Sequence, residues 1–300
     1  MNDRNRPIMR EPRIAIVTGA NNGIGFETAI GMAKAGYHTV LACRSEAKGQ
    51  TAMADMKKRV PDGQFTLLLL DLSDFDSVRS FAAAFREQFD HLDVLINNAG
   101  VLDYSGRKAG NGYELQLMTN HLGHMLLTSL LLDMMPDMRE SRIVSLSSVA
   151  HRGAKIHFDD IHCEHVEGVA AYSQSKLACL LFGDELDKKL RAAGREILSL
   201  SVHPGGSDSG LFDDMSRMQY YLMKIIAPLI THSNASAAQP ALHAALSPNV
   251  KGGDYYGPQG FKELRGKVGP AERDASAKDP AAARRLWEVS EELIGEKFRL

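Results

Sequence analysis

A tyrosine and a lysine four residues apart offer the clearest chemistry in this sequence. Tyr172 and Lys176 fall in the run Tyr-Ser-Gln-Ser-Lys, inside a segment of helical periodicity. Residues four apart share one helix face, so the lysine ammonium would lie beside the phenol. A neighbouring positive charge favours the phenolate, and such a pair could give or take a proton near neutral pH. A plain surface helix face is the alternative interpretation of the pair taken alone.

A glycine-rich run near the N-terminus is the second candidate site. The run TGANNGIG starts at Thr18 and separates a predicted strand from a predicted helix. Glycines there permit a tight turn, close approach of the backbone to a pyrophosphate, and close helix–strand packing, while the helix amides favour phosphate. A simple strand-to-helix turn is the alternative. The pattern predicts a dinucleotide site formed by Gly19, Asn21, Asn22, Gly23, Ile24 and Gly25.

The end of the second predicted strand bears on the choice of dinucleotide. Proteins of this architecture that select NAD usually place an acidic residue there, which binds the ribose 2′-hydroxyl. This chain has Arg44 at that point. A guanidinium suits a 2′-phosphate, so the sequence favours NADP(H) over NAD(H). Glu46 lies nearby and keeps NAD(H) open.

Two further strand ends carry candidate cofactor contacts. Asp71 and Leu72 follow the third predicted strand, where a carboxylate could accept from the adenine amino group, although a helix-capping role fits almost as well. Asn98, Ala99 and Gly100 follow the fourth strand, and these residue types are also common in turns. We assign all five to cofactor binding as predictions.

Strand-length apolar runs alternate with longer segments of helical period. Near-continuous apolar strands separated by helices indicate a parallel sheet covered on both faces, and right-handed crossovers make it doubly wound. We therefore predict an α/β Rossmann fold. The predicted strands are 13–18, 38–42, 65–70, 93–97, 142–146 and 197–202, and the predicted helices are 24–35, 46–59, 77–89, 113–135, 171–193 and 281–295.

We interpret residues 1–300 as one catalytic domain, because no repeat or low-complexity linker divides the chain. Within it, residues 1–12 are expected to be flexible. Residues 206–232 are expected to cover the substrate as a lid. Residues 252–280, which are rich in glycine, proline and charge, are expected to be loop-rich.

Composition excludes several classes of protein. The 300 residues are 44% apolar and 24% charged, which is ordinary for a globular protein and unlike disordered or disulfide-framework chains. A net charge of −2 gives no support for nucleic acid or an anionic membrane as a partner. Cys43, Cys163 and Cys179 show no paired spacing and predict free thiols in a reducing compartment. With a charged N-terminus and no long apolar run, we expect a cytoplasmic protein without a membrane anchor.

Taken together, the motifs resemble those of the short-chain dehydrogenase/reductase family over about two-thirds of the chain. The matching runs, in the order of the family, are TGANNGIG (18–25), NNAG (97–100), NHLGH (120–124), SLSS (145–148), YSQSK (172–176) and HPGG (203–206). The runs LACRS, NHLGH, SSVAH and YSQSKLA are most similar to the branch of retinol dehydrogenases, WW-domain oxidoreductases and protochlorophyllide-reductase-like proteins. This resemblance implies NADP(H) and bulky apolar alcohols, aldehydes or ketones.

The resemblance also implies roles for four catalytic residues. Tyr172 would donate a proton to the carbonyl oxygen in reduction and accept one in oxidation, while Lys176 would bind the nicotinamide ribose and favour the phenolate. Ser148 would bind the reacting oxygen, and Asn120 would hold a water that links Lys176 to solvent. Ser148 is preferred over Ser147 because it directly precedes the Val-Ala pair, as in the family pattern.

The chain departs from the family pattern after the last motif. The resemblance implies cofactor contacts from Pro204 and Gly205, and then usually from a valine and a threonine. This chain has Gly206 and continues to Ser209, whose hydroxyl could replace that of the threonine.

A second departure is the spacing of 24 residues between Ser148 and Tyr172, where many members have about a dozen. The extra segment holds several residues of metal-ligand type, namely His157, Asp159, Asp160, His162, Cys163 and His165. Their spacing matches no familiar zinc pattern, so we predict a solvated loop that lines the site, and no metal.

The predicted lid is rich in methionine and aromatic residues, which suits irregular apolar ligands, although a buried helix or a subunit contact would have the same composition. We expect a carbonyl or alcohol substrate of aromatic, polyketide-like, steroid-like or retinoid-like type. A homodimer or homotetramer could form through the helices near 113–135 and 171–193. Two alternatives stay open: a regulator that senses NADP(H) without turnover, and use of the same site for double-bond reduction or epimerisation.

Overall fold

The computed structural model describes residues 11–166, 168–206 and 233–300. They form one eight-stranded sheet in the order β3-β2-β1-β4-β5-β6-β7-β8. Neighbouring strands pair in parallel except for β7 and β8, which are antiparallel. The strands are β1 Ile14–Thr18, β2 His38–Cys43, β3 Phe65–Leu69, β4 Val94–Asn97, β5 Arg142–Leu146, β6 Leu198–Val202, β7 Tyr255–Pro258 and β8 Val268–Pro270.

The first strand shows why these runs are almost wholly apolar. Ile14 and Ile16 point into one buried cluster, and Ala15 and Val17 point into a second cluster on the other face of the sheet. Successive strand side chains alternate between faces, so a sheet covered on both sides buries every residue of a central strand. The predicted doubly wound Rossmann fold is confirmed.

Helices cover both faces. The helices are α1 Gly23–Lys34, α2 Glu46–Arg59, α3 Phe75–Gln88, α4 Leu115–Leu117, α5 Gly123–Leu131, α6 Gly168–Ala192, α7 Asn234–Ala237, α8 Gln239–Leu246 and α9 Pro280–Ile294. Helices α1, α2 and α8 contribute side chains to the buried cluster that contains Ala15 and Val17. Helices α3, α5, α6 and α9 contribute side chains to the cluster that contains Ile14 and Ile16.

The helix predicted over 113–135 is not regular. A π-helical turn, Met118–Leu122, lies between α4 and α5, and a 3₁₀ turn, Leu132–Met134, follows α5. A π turn is rare and is frequently found at a functional site. Hydrophobic periodicity over this segment predicts its helical character but is too coarse to show one widened turn.

The prediction of loops over 252–280 is wrong in part. This segment contains β7 and β8 as well as a 3₁₀ turn, Ser276–Lys278. Strand β7 adds to the sheet because Tyr255 and Tyr256 are buried beside β6. Two aromatic residues between glycines and prolines are too short a run to predict a strand. Residues 1–10 of the predicted flexible terminus and 207–232 of the predicted lid lie outside the described residues.

Helix α9 packs along α6. The rings of Trp287 and Phe182 are stacked with centroids 5.8 Å apart, and the Lys189 ammonium lies 5.0 Å from the Trp287 ring centroid. The face of α6 that carries Phe182 and Lys189 is therefore covered by α9 of the same chain. Within 11–166, 168–206 and 233–300, no helix is long and apolar enough to cross a membrane.

We expect Trp287→Ala to lower the free energy of unfolding by about 3–5 kcal/mol, because it empties a buried site between two helices. Urea denaturation of the purified protein measures this. Glu288→Ala is the matched control, since Glu288 is exposed on the same helix. Equal effects of the two substitutions would show that α9 is not held by its packing on α6.

Candidate active site

The carboxyl ends of the central strands bring the predicted site residues to one edge of the sheet. The glycine-rich run follows β1, the Asn98–Gly100 run follows β4, Ser148 follows β5, and the run from His203 to Gly206 follows β6. Ligands of open parallel sheets bind outside this edge. The observed strand order places these strand ends side by side.

The glycine-rich turn has the geometry of a phosphate cradle. Gly19 has a φ of +67°, and a Cβ atom on Gly25 would lie 2.4 Å from the Gly19 carbonyl oxygen, so α1 starts in direct contact with the turn. Asn22 precedes α1 without a side-chain cap, and the first turn of α1 holds no acidic residue. The helix N-terminus is thus suited to an anion, and these residues fit a pyrophosphate.

Thr18 joins this turn to the end of β4. Its hydroxyl is fully buried and accepts from the backbone amides of Asn98 and Ala99, each at 2.9 Å. The Asn98 side chain donates to the Thr18 carbonyl oxygen at 2.7 Å. The polar groups of the Asn98–Gly100 run are therefore used in part to hold the two strand ends together.

His124 completes this network as a neutral ring. Burial, together with the charge of Lys176, lowers its pKa to about 4. Its Nδ1 lies 3.0 Å from the Asn120 carbonyl oxygen, which can only accept, so Nδ1 carries the proton. Its Nε2 is then an acceptor for the Thr18 hydroxyl at 2.9 Å. One imidazole thereby connects the cofactor turn to the π turn.

Lys176 is buried at this edge of the sheet. It is 5% exposed, and its ammonium donates to the Leu146 carbonyl oxygen at 3.1 Å. The ammonium is 5.8 Å from the centroid of the half-buried Tyr172 ring, one helical turn away. A Cβ atom on Gly100 would lie 3.1 Å from the ammonium, so the absence of a side chain at Gly100 makes room for it.

Asn120 lies on the π turn and is almost fully buried. Its side chain accepts from the Val101 amide at 2.8 Å and donates to the Val101 carbonyl oxygen at 3.0 Å and to Ser175 Oγ at 2.8 Å. Ser175 in turn donates to the Tyr172 carbonyl oxygen at 2.7 Å. Asn120 thus fixes the position of the tyrosine's helix against the β4 loop.

The two serines after β5 have different surroundings. Ser147 is buried, and its hydroxyl donates to the Lys176 carbonyl oxygen at 2.7 Å, which ties β5 to α6. Ser148 is half-buried, and its Oγ accepts from the Ala150 amide at 3.2 Å at the start of a 3₁₀ turn, Val149–His151. The proton of Ser148 stays available for an acceptor.

Arg44 and Asp71 lie together at the far side of the turn. The Arg44 side chain is 74% exposed, with its Nε 4.0 Å from an Asp71 carboxylate oxygen. That carboxylate also accepts from the amide and hydroxyl of Ser73, so it serves local structure as the alternative interpretation allows. Leu72 is buried, and its carbonyl oxygen would be 2.3 Å from a Cβ atom on Gly123.

The extra segment after Ser148 is held by its own contacts. Asp160 accepts from the amides of Glu164 and His165, and the rings of His162 and Tyr113 are stacked. Burial raises the pKa of the Cys163 thiol to about 12, with Glu114 and Asp160 adding to the rise. Over the part of the chain that the structure describes, no group of three or more metal-ligating side chains comes together. Ser209 lies outside the described residues.

Sequence reasoning missed the positioning residues Thr18, His124 and Ser175. Thr18 and His124 stand inside two of the recognised motifs, and His124 follows Asn120 by four residues, which is the spacing of neighbours on a helix face. This four-residue spacing is the signal that could have placed His124 beside Asn120.

Comparison with known proteins agrees with this geometry. The short chain dehydrogenase family matches residues 13–219. Retinol dehydrogenase 11 of Homo sapiens is 38% identical over 288 residues, which cover 94% of this chain and 86% of that protein. Retinol dehydrogenase 13 of Homo sapiens is 37% identical over 293 residues, covering 94% and 85%.

Solved structures show the same fold. An uncharacterised protein from Mycobacterium paratuberculosis superposes with a TM-score of 0.80 at 36% identity, covering 96% of both chains. A short chain dehydrogenase from Shigella flexneri, solved in complex with NADP, gives a TM-score of 0.63 at 21% identity, covering 81% of this chain and 95% of that one.

The fold and the motif matches define an oxidoreductase of Rossmann architecture that uses a nicotinamide cofactor and acts on alcohol or carbonyl substrates. The chain belongs to the short-chain dehydrogenase/reductase family, in the branch of the retinol dehydrogenases.

We expect Thr18→Val to lower the free energy of unfolding by about 1–3 kcal/mol, because the Ala99 amide loses its acceptor and the Asn98 amide keeps only the Ile96 carbonyl oxygen. Thr18→Ser keeps the hydroxyl and is the matched control. Urea denaturation of both variants checks this, and a valine variant as stable as the serine variant would contradict the network.

Proposed function

We propose that this chain is an NADP(H)-dependent oxidoreductase that interconverts a carbonyl and an alcohol on a bulky, largely apolar substrate. The observation that carries the proposal is the meeting of Tyr172, Lys176, Ser148 and Asn120 at the edge that also holds the glycine-rich turn. The relatives named as retinol dehydrogenases support an apolar alcohol or aldehyde as the substrate class.

Tyr172 is the proposed general acid and base. A bound nicotinamide supplies or accepts the hydride, and the protein must provide one proton at the substrate oxygen. The phenol of Tyr172 donates that proton in reduction and takes it back in oxidation. Ser148 donates a hydrogen bond to the same oxygen in this proposal, because it is half-buried with its proton available, whereas Ser147 is buried and its hydroxyl donates to the Lys176 carbonyl oxygen.

Lys176 has two proposed tasks. Its ammonium stabilises negative charge that develops on the phenol, and it donates to the ribose of the nicotinamide half. The ammonium lies in the space beside Gly100, where a Cβ atom would be 3.1 Å from it. Asn120 holds the π turn in place through Val101 and Ser175, and this position suits a water that exchanges protons with Lys176.

The cofactor residues divide between the two ends of the dinucleotide. The turn residues Gly19, Asn21, Asn22, Gly23, Ile24 and Gly25 would hold the pyrophosphate, and Asp71 and Leu72 would contact adenine. The runs Asn98–Gly100 and Pro204–Gly205, with Ser209, would contact the nicotinamide half. Arg44 would bind the 2′-phosphate of NADP(H), since it is an exposed guanidinium at the end of β2.

We expect Tyr172→Phe to lower kcat by about 10²–10⁴-fold, because the ring stays in place while the proton is lost. NADPH binding stays nearly unchanged. Steady-state reduction of aromatic ketones, quinones, steroids and retinal measures kcat. Fluorescence titration with NADPH measures cofactor binding. Tyr37→Phe at the opposite edge of the sheet is the control and retains full activity. Appreciable turnover by the Tyr172 variant would assign the acid to another group.

We expect Arg44→Glu to raise the KM for NADPH by about 10–100-fold and to leave the KM for NADH nearly unchanged, because a charged hydrogen bond to the 2′-phosphate is replaced by repulsion. Lys57→Glu, with the same change of charge on the exposed far part of α2, is the control. Equal increases for both cofactors would remove Arg44 from the 2′-phosphate site.

A further inference from the structure

A carboxylate outside the predicted site connects two of its loops. Glu263 lies in the short turn between β7 and β8. Its Oε2 accepts from Arg152 and lies 3.1 Å from His203 Nε2, and its Oε1 accepts from the Glu272 amide at 3.0 Å. Arg152 directly follows the turn that Ser148 caps, and His203 begins the loop after β6.

The His203 ring is held in one orientation. It is fully buried, and a Cβ atom on Gly257 would lie 1.9 Å from its Nε2, so only glycine fits beside it. The Gly205 amide donates to its Nδ1 at 3.3 Å, which requires an unprotonated Nδ1. The proton of the neutral ring is then on Nε2, where it donates to Glu263. Burial, with Arg152 and His151, lowers the pKa of His203 to about 3, so the ring is neutral at neutral pH.

The backbone of the β7–β8 turn shows that these contacts hold it in an unusual conformation. Lys262 and Glu263 have φ of +49° and +58°, in the left-handed region that residues other than glycine rarely adopt. Strain of this kind persists only where the surroundings over-determine it, and it clusters at functional sites. The neighbouring Leu264 carbonyl oxygen also accepts from the Gly206 amide at 2.8 Å.

We propose that Glu263 is a positioning residue, whose carboxylate selects the His203 tautomer that receives the Gly205 amide and, through Arg152, ties this loop to the Ser148 turn. The inference rests on the proposed function, in which the loop from His203 to Gly206 lies beside the nicotinamide and Ser148 contacts the reacting oxygen. Outer groups that orient metal ligands through hydrogen bonds change affinity or activity by about 10–100-fold when they are replaced, and we expect an effect of the same size here.

The test is Glu263→Gln, which keeps the size of the side chain and removes its charge. We expect kcat for carbonyl reduction to fall by about 10–100-fold. The Kd for 2′,5′-ADP, which reports only the adenosine half, stays within about twofold, because that half binds at the opposite end of the site. Backbone hydrogen exchange of the NADPH complex becomes faster at 203–206 and at 149–152. Glu272→Gln, an exposed carboxylate on the same hairpin, changes none of these quantities.

A second variant distinguishes the contact of Glu263 with His203 from its contact with Arg152. Arg152→Gln leaves the contact of Glu263 with His203 in place, so faster exchange is expected at 149–152 only. If Glu263→Gln does not fold, this variant decides the matter: exchange unchanged at 149–152 overturns the proposal.

Two results with Glu263→Gln would overturn the proposal. One is a kcat and backbone hydrogen-exchange rates equal to those of the Glu272→Gln variant. The other is a parallel loss of kcat, 2′,5′-ADP affinity and melting temperature, which would make Glu263 a general stability residue. If the unaltered protein binds NADPH but reduces no carbonyl, the proposed function fails, and the exchange measurements alone decide the role of Glu263.

Discussion

The buried ammonium of Lys176 is the constraint on which the arrangement of this edge depends. Removing a charge from water is costly unless polar groups replace the lost hydration. Here the Leu146 carbonyl oxygen accepts from the ammonium, and Gly100 leaves the space that it occupies. The strand end of β5, the loop after β4 and helix α6 must therefore meet around the ammonium. Tyr172, one turn away on α6, is positioned by the same requirement.

The charge of Lys176 also helps to explain the neutral state of its neighbour His124. Because the imidazole is neutral, one of its nitrogens can donate to Asn120 and the other can accept from Thr18. A protonated ring would donate at both nitrogens and would compete for the Thr18 oxygen that two backbone amides already use. Asn120 on the π turn and Thr18 on the glycine-rich turn consequently share one hydrogen-bond network through the His124 ring.

The central sheet and the order of its site loops could be predicted from sequence because they follow from patterns with a strong physical basis. Near-continuous apolar runs give β1 to β6, and strand order then brings the glycine turn and Ser148 to one edge. The proposed roles of Tyr172, Lys176, Ser148, Asn120 and Arg44 came from motif resemblance and spacing, and they stay predictions that the mutants above address.

Other features could not be predicted because their sequence signals are short or are set by distant contacts. The π turn at Asn120 changes helix geometry without changing hydrophobic periodicity. Strand β7 has two aromatic residues as its only strong signal. Glu263 acts on His203 and Arg152 across 60 and 111 positions of sequence, and no local pattern relates residues so far apart.

The long segment between Ser148 and Tyr172 is joined to the sheet edge by side-chain hydrogen bonds. Two buried glutamine side chains hold the loops on this side in place through hydrogen bonds. Gln174 accepts from the His157 amide at 2.8 Å and donates to the Cys163 sulfur at 3.0 Å, while Gln116 binds both the amide and the carbonyl oxygen of Asp103. A side-chain amide carries donors and an acceptor, so one residue can hold two backbone segments at once.

Gln116 also donates to the Gly168 carbonyl oxygen, at the start of α6. The helix that carries Tyr172 and Lys176 is thus joined on one side to the sheet edge and on the other to the loops that face outward. In the proposed function, changes of length or sequence between these anchoring points would alter the shape offered to a substrate without moving the helix that carries Tyr172 and Lys176. Hydrogen bonds from Gln116 and Gln174 would then hold the helix while the loops between them differ.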